Sequence, residues 1–351
     1  MSSSGLRRTL LGVAAFALLA GFVPFRFSSY GLDQVTLVLI YAMAILGLNM
    51  VSGYAGAISL GHGAFFAIGA YAEAILVHRY GFSPYVAIPC ASAVAWIAGL
   101  AFGFPALRLR GLYLALGTLA IAMSLPPLLK RFEGFTGGHT GIVVETLSAP
   151  KWSHMSGSQW TYFLVLAIAA LLFAVAWRLL GGALGRALLA TRDHEIVAQV
   201  MGVDPTRYLT LTFALSSLYA GTAGALYTLA IGFVSPDSFT LMLGLGFFVG
   251  GVVGGLTSVW GAIFGGLFLQ YVPVWASDID KALGGFVYGA TLIASMLLMP
   301  EGLAGVGRRL AARWHARAAA GTKATTTRIT SASTTPITST PLASAERKGA
   351  R

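Results

Sequence analysis

Residues 47–71 read GLNMVSGYAGAISLGHGAFFAIGAY. They sit inside residues 34–72, a run of 39 positions without Asp, Glu, Lys or Arg. A helix crossing the apolar core of a bilayer needs about 20 residues, so this run holds two spans. The glycines between Gly53 and Gly56 mark the break between them. Working outward, the other uncharged stretches are 9–25, 80–107, 111–129, 152–177, 208–236, 238–277 and 282–300. The 40 residues of 238–277 again fit two spans, with a break expected at Gly250–Gly255, and the others fit one each. The expected fold is therefore an all-α polytopic membrane protein with about ten transmembrane helices. The composition agrees: 56% of the 351 residues are hydrophobic and 10% charged, where soluble domains carry about 25% charged residues.

The first stretch follows Arg7 and Arg8, which raises the question of a cleaved signal peptide. Phe22, Pro24, Phe25 and Phe27 stand where small residues would be needed for cleavage, so the stretch reads as a retained helix. Lys and Arg in short loops set orientation. With the N-terminus inside, 17 basic residues fall on the cytoplasmic side and 6 outside, so both termini are expected in the cytoplasm. Loop 130–159 then faces outward, and loop 181–207 faces inward. Much of the net charge of +11 comes from residues 301–351, which hold nine basic and two acidic residues. That part is rich in Ser and Thr and poor in core-forming residues, and it reads as a basic, disordered cytoplasmic tail. Arg308, Arg309, Arg313 and Arg317 in it suit anionic lipid. The membrane domain is then 1–300. The high charge reports this tail, not a nucleic-acid groove, and the single Cys90 excludes an intramolecular disulfide.

Four features bear on function. Asn49, Ser59 and His62 put polar groups into the glycine-rich stretch 47–71, and polar groups at membrane depth face a bundle interior or a pathway. Tight helix packing and a substrate pathway are both open readings of that block. Gly246, Gly250 and Gly254, with Gly261 and Gly265, form a small-xxx-small packing face. Gly56-Ala-Ile-Ser59 and Gly255-Leu-Thr-Ser258 are alike and each lies near a break, a hint of internal duplication. Glu73 is the one acid inside an expected span, about 20 Å from its inner end. It either reaches the outer interface near Arg79 or belongs to the pathway or its coupling.

Loop 181–207 alternates Ala187, Leu188, Ile196, Val197, Val200 and Met201 with Arg192, Asp193, His194 and Glu195 at near-helical spacing. A short amphipathic helix along the membrane surface is expected, ended by Gly202 and by Pro205. It is either an interfacial anchor or a docking surface for a soluble partner. None of the five lysines sits in a G-x-x-x-x-G-K-[ST] motif, so a phosphate-cradling loop is absent. No catalytic triad or His-Glu metal cluster is evident, and neither a catalytic nor a metal site is expected.

Several blocks resemble the permease subunits of branched-chain amino-acid ABC importers. They are residues 47–71, LRLRGLYLALGTLA at 107–120, TGGHTGI at 136–142, residues 185–227, GFVSPDSF at 232–239 and GGLTSVWGAIFGG at 254–266. The LRLRG and TGG segments and the Arg-Asp-x-Glu loop favour the LivM-type subunit over the LivH-type. The resemblance covers about residues 35–300 and implies a type II-like importer permease in the bacterial inner membrane. It implies a second, LivH-type permease chain, two cytosolic ATPases carrying the ATP and magnesium, and a periplasmic substrate-binding protein; no cofactor is expected on this chain. Arg192, Asp193, Glu195 and Gly202 match the family's ATPase-coupling segment, with His194 where an amide is more usual. Glu73 stands where a small or hydroxylated residue is common. A urea or short-amide importer shares these motifs and stays open. An ion-coupled secondary transporter would need more ionisable groups than Glu73 and His62 provide.

Overall fold

In the computed structural model, residues 28–106, 111–150 and 155–279 are described, with isolated positions on either side. Apart from such isolated positions, the expected first span (9–25) and the last (282–300) lie outside the described residues, as do Arg108, Arg110 and the tail from 306 onward. The long helices are α1 (Ser29–Leu48), α2 (His62–His78), α3 (Pro84–Ala106), α4 (Leu112–Arg131) and α5 (Gly157–Leu180). Two shorter ones follow, α6 (Ala183–Asp193) and α7 (Glu195–Val200). The chain re-enters the bundle through α8 (Pro205–Ile231), α9 (Leu241–Gly254) and α10 (Gly261–Ile279).

Six of these segments are long and apolar enough to cross a membrane, among them Ser29–Tyr54, where α1 continues into a π-helical stretch at Asn49–Tyr54. The helix α2, with 17 residues, and the apolar part of α10, Gly261–Trp275, are shorter. These eight helices occupy the places expected from the uncharged stretches within the described residues.

Local signals explain where helices begin. Ser156 accepts from the Gln159 amide at 3.3 Å while the Gln159 side chain accepts from the Ser156 amide at 3.0 Å, a reciprocal cap on α5. Asp204 accepts from the amide of Thr206 at 3.0 Å, and Pro205 opens α8, where its missing N–H costs nothing. In lipid every backbone group must find a partner within the protein, so such ends are not optional.

The bundle is built around α1, which is buried along most of its length and packed by α5, α8, α9 and α10. The helix α8 also lies against α2 and α3. An aromatic cluster fills the centre. The Phe66 ring is 5.2 Å from Phe247 and 5.5 Å from Tyr227, in the tilted arrangements that rings prefer. Elsewhere helices meet through glycine. Gly250 faces Gly265 and Gly254 faces Gly261, so the four-residue glycine spacing does mark the seam between α9 and α10.

The connections sort to two ends. At one, Arg79 donates to the Gly134 carbonyl at 2.5 Å and Lys130 pairs with Asp237 at 2.7 Å. There β1 (Ile142–Val143) pairs antiparallel with β2 (Phe233–Val234). At the other end the break after α1, Gly111, the segment α6–α7 and the start of α8 line one cavity of about 250 Å³. Among the described residues, the connections between successive helices thus alternate between the two ends.

Two expectations need correction. The break after α9 falls at Gly255–Trp260, because Gly250 and Gly254 are helical packing positions. Loop 181–207 is not one helix but two, because His194 is extended, with φ −149° and ψ 90°. The run Thr191–Glu195 carries no apolar residue to hold a continuous face, and Asp and His are weak helix formers.

Candidate functional site

The two breaks meet each other. The first, Ala55–Gly61, and the second, Gly255–Trp260, share a plan: Gly56 has φ +73°, Gly255 has φ +107°, and the next helix starts six residues after each. A left-handed turn of this kind suits glycine. Asn49 Nδ2 donates to the Ser258 carbonyl at 3.4 Å, and the Tyr54 hydroxyl donates to the Thr257 carbonyl at 3.0 Å. A Cβ on Gly53 would strike the carbonyl of Leu256. The Ser258 hydroxyl accepts from the Gly261 amide at 3.2 Å and so caps α10.

Asn49, Ser59 and His62 are all buried around these breaks. Asn49 Oδ1 and the Ser59 hydroxyl find no hydrogen-bond partner among the described residues. His62 is held on three sides. Its Nε2 donates to the Ala44 carbonyl at 2.9 Å, which makes Nδ1 the acceptor for the Ser216 hydroxyl at 3.5 Å. The ring also stands edge-on to Phe247 at 6.4 Å. His62 thus ties α2 to α1, α8 and α9.

Glu73 is apart from this group, eleven residues further along α2, or about 16 Å by helical rise. It does not reach the outer interface. It is fully buried and neither carboxyl oxygen has a partner among the described residues. Arg79 is engaged by Gly134 and lies over the Phe135 ring at 4.6 Å.

In the segment after α5 the side chains of Ala187, Leu188 and Ala198 are buried, while Ile196, Val197, Val200 and Met201 are 60–82% exposed. Asp193 is exposed, and Glu195 opens α7. Gly202 has φ +84°, with its amide on the Gln199 carbonyl at 2.9 Å. No atom lies within 4 Å of where its Cβ would be, so the backbone conformation calls for glycine there and crowding does not.

Two contributors were not singled out from sequence. Thr118 Oγ1 accepts from the Leu60 amide at 3.0 Å and holds the first break on α4. Ser216 completes the His62 contacts. Both lie in the blocks LALGTLA and ALSSLYAGTAG, where a hydroxyl in an apolar run was the available signal.

Among the described residues, eight apolar helices and two broken pairs meeting at one end define an all-α polytopic membrane protein. A family described as the permease component of branched-chain amino acid transport systems matches residues 31–296, and the chain belongs to that family. It is 34% identical to the high-affinity branched-chain amino acid permease protein LivM of Escherichia coli K12, over 84% of this chain and 74% of that one. Identity to LivM of Salmonella typhimurium is 33% with the same coverage. To LivH of Escherichia coli K12 it is 28%, over 78% of this chain and 94% of that one. No solved structure matches.

Proposed function

We propose that this chain is the LivM-type membrane subunit of an ATP-driven importer that moves branched-chain amino acids delivered by a periplasmic binding protein. The observation that carries the reading is the exposed apolar ridge Ile196, Val197, Val200 and Met201 on a segment whose other residues, Leu188, Thr191, Arg192 and Glu195, line a cavity with the first break. It fits a docking face for a soluble ATPase; a surface anchor would instead bury the same residues in the bilayer, and loss of ATPase binding on charging the ridge separates the two. The partners are a LivH-type permease, two ATPases holding ATP and magnesium, and the binding protein. We place the chain in the inner membrane with ten spans and both ends in the cytoplasm, the two broken pairs being halves of a duplicated plan. The test is co-expression with the neighbouring ATPase and binding-protein genes, followed by uptake of labelled leucine, isoleucine and valine, with urea in parallel. Uptake of urea alone would transfer the reading to an amide importer.

Orientation is checked by cysteine labelling after Cys90→Ala. Val143→Cys, in the loop paired with β2, is expected to label from outside, and Met201→Cys only after the membrane is opened; the reverse pattern would invert the topology. Asn49, Ser59, His62 and Glu73 we assign to the translocation pathway, where an amino acid needs polar partners. Asn49→Leu and His62→Leu are expected to cut uptake while the complex stays assembled, because one transmembrane hydrogen bond averages only about 0.6 kcal/mol. Normal uptake in both would leave these side chains with a packing role alone.

A further inference from the structure

Arg192 stands near the end of α6, among the charges of the segment that the resemblance matches to an ATPase-coupling segment. Its side chain turns the other way. Nη1 donates to the Gly53 carbonyl at 2.6 Å, whereas Asp193, next to it in sequence, is 4.0 Å away. Gly53 is near the end of the π-helical stretch, where carbonyls lack an intrahelical donor and a cation is favoured. The stem of Arg192 lies across Gly56: a Cβ there would stand 2.7 Å from Arg192 Cγ. Gly53 in turn abuts Leu256 of the second break, whose Thr257 and Ser258 carbonyls accept from Tyr54 and Asn49. One guanidinium therefore joins the α6–α7 segment to the point where both broken helix pairs meet.

We propose that Arg192 is a positioning residue that carries displacement of α6–α7 to the paired breaks, and that it does not serve as an ATPase contact. This rests on the reading of α6–α7 as the ATPase-docking segment. A push on α7 moves α6, and the bond to Gly53 makes the end of α1 follow. The loop at Gly56 accommodates the arginine stem only because it has no side chain there.

The experiment uses the whole importer in proteoliposomes with Arg192→Gln, Arg192→Lys and Gly56→Ala. Four quantities are read: ATPase co-purification, basal ATP hydrolysis, its stimulation by substrate-loaded binding protein, and the melting temperature of the complex. Arg192→Gln is expected to keep co-purification and basal hydrolysis and to lose about fivefold or more in stimulation, the scale of a modest coupling free energy. Arg192→Lys should recover part of the stimulation, since an ammonium can still donate to Gly53. Gly56→Ala should match Arg192→Gln by displacing the stem. Unchanged stimulation in Arg192→Gln overturns the proposal, including where only the melting temperature falls. Loss of ATPase co-purification in Arg192→Gln also overturns it, because the arginine then belongs to the docking face. Failure of the unaltered chain to bind the ATPase would overturn the docking reading and this inference with it, and is seen without any variant.

Discussion

Gly69→Val is expected to remove the folded chain from the membrane almost completely. The helices α2 and α8 cross backbone against backbone, and α3 closes on α8 through the methyl of Ala95. A Cβ on Gly69 would enter the main chain of Gly221, a Cβ on Gly221 would meet that of Ala95, and a Cβ on Gly224 would meet the Phe66 carbonyl. Between helices in lipid there is no hydrophobic driving force, so association depends on close packing and interhelical hydrogen bonds. Overfilling a packed site costs about 1–3 kcal/mol when side chains can yield. Here the obstacle is backbone, and the whole helix must move. That movement would strain the Thr228 hydroxyl bond to the Ala70 carbonyl at 3.2 Å and the Ser92–Thr222 pair at 2.7 Å. The measurement is the yield of monodisperse protein in detergent and its thermal unfolding. Gly134→Ala, where a Cβ meets nothing within 4 Å, serves as the control. Wild-type yield and melting for Gly69→Val would mean that this contact is not what holds the three helices.

What the sequence made legible follows from how strong each physical constraint is. Lipid forces helices and admits few charges, so the places of eight apolar helices, six of them long enough to cross a membrane, could be read from where Asp, Glu, Lys and Arg are missing. Caps such as Ser156 with Gln159, and Asp204 with Pro205, leave a local signal over three residues, but the charge-free stretches did not use it and open at 152 and 208, where the helices begin at Gly157 and Pro205. Contacts between elements were less legible. Glycine spacing marked the α9–α10 seam, but it also suggested a break at Gly250–Gly255 where two helices are simply touching. A glycine that packs and a glycine that turns look the same in one dimension. The inward turn of Arg192 was hidden for the same reason: its partner is a backbone carbonyl 139 residues away, which carries no side-chain signature. Glu73 illustrates the opposite error. Its position on α2 was correct, but its proximity in sequence to Arg79 suggested an escape to the interface that the fold does not offer.

Val200→Asp and Gly202→Val are expected to detach the ATPase while membrane insertion stays normal. The segment α6–α7 is anchored by small buried side chains, Ala187 and Ala198, together with Leu188. Its larger apolar residues point away, with Val200 at 82% and Met201 at 79% exposed. Large apolar groups so displayed mark a protein or a membrane contact; on the docking reading, charging such an anchor costs about 2 kcal/mol or more of binding. Val200→Asp acts on the contact itself and leaves the anchor untouched. Gly202→Val acts through the chain. At φ +84° a β-branched residue is strained by about 1–2 kcal/mol, and the relief is to unwind the turn that closes α7. The amides of Gly202 and Val203 then leave the carbonyls of Gln199 and Ala198, and the ridge loses its shape. The two substitutions thus reach one surface by separate routes, one chemical and one conformational. Co-purification of the ATPase and substrate-stimulated hydrolysis in liposomes are the measurements, with cysteine labelling at Val143 reporting insertion. Loss of ATPase in both, with normal labelling, is the expected result. Full ATPase binding and stimulation in both would return α6–α7 to a surface anchor, and the push on the broken helices would have to enter elsewhere.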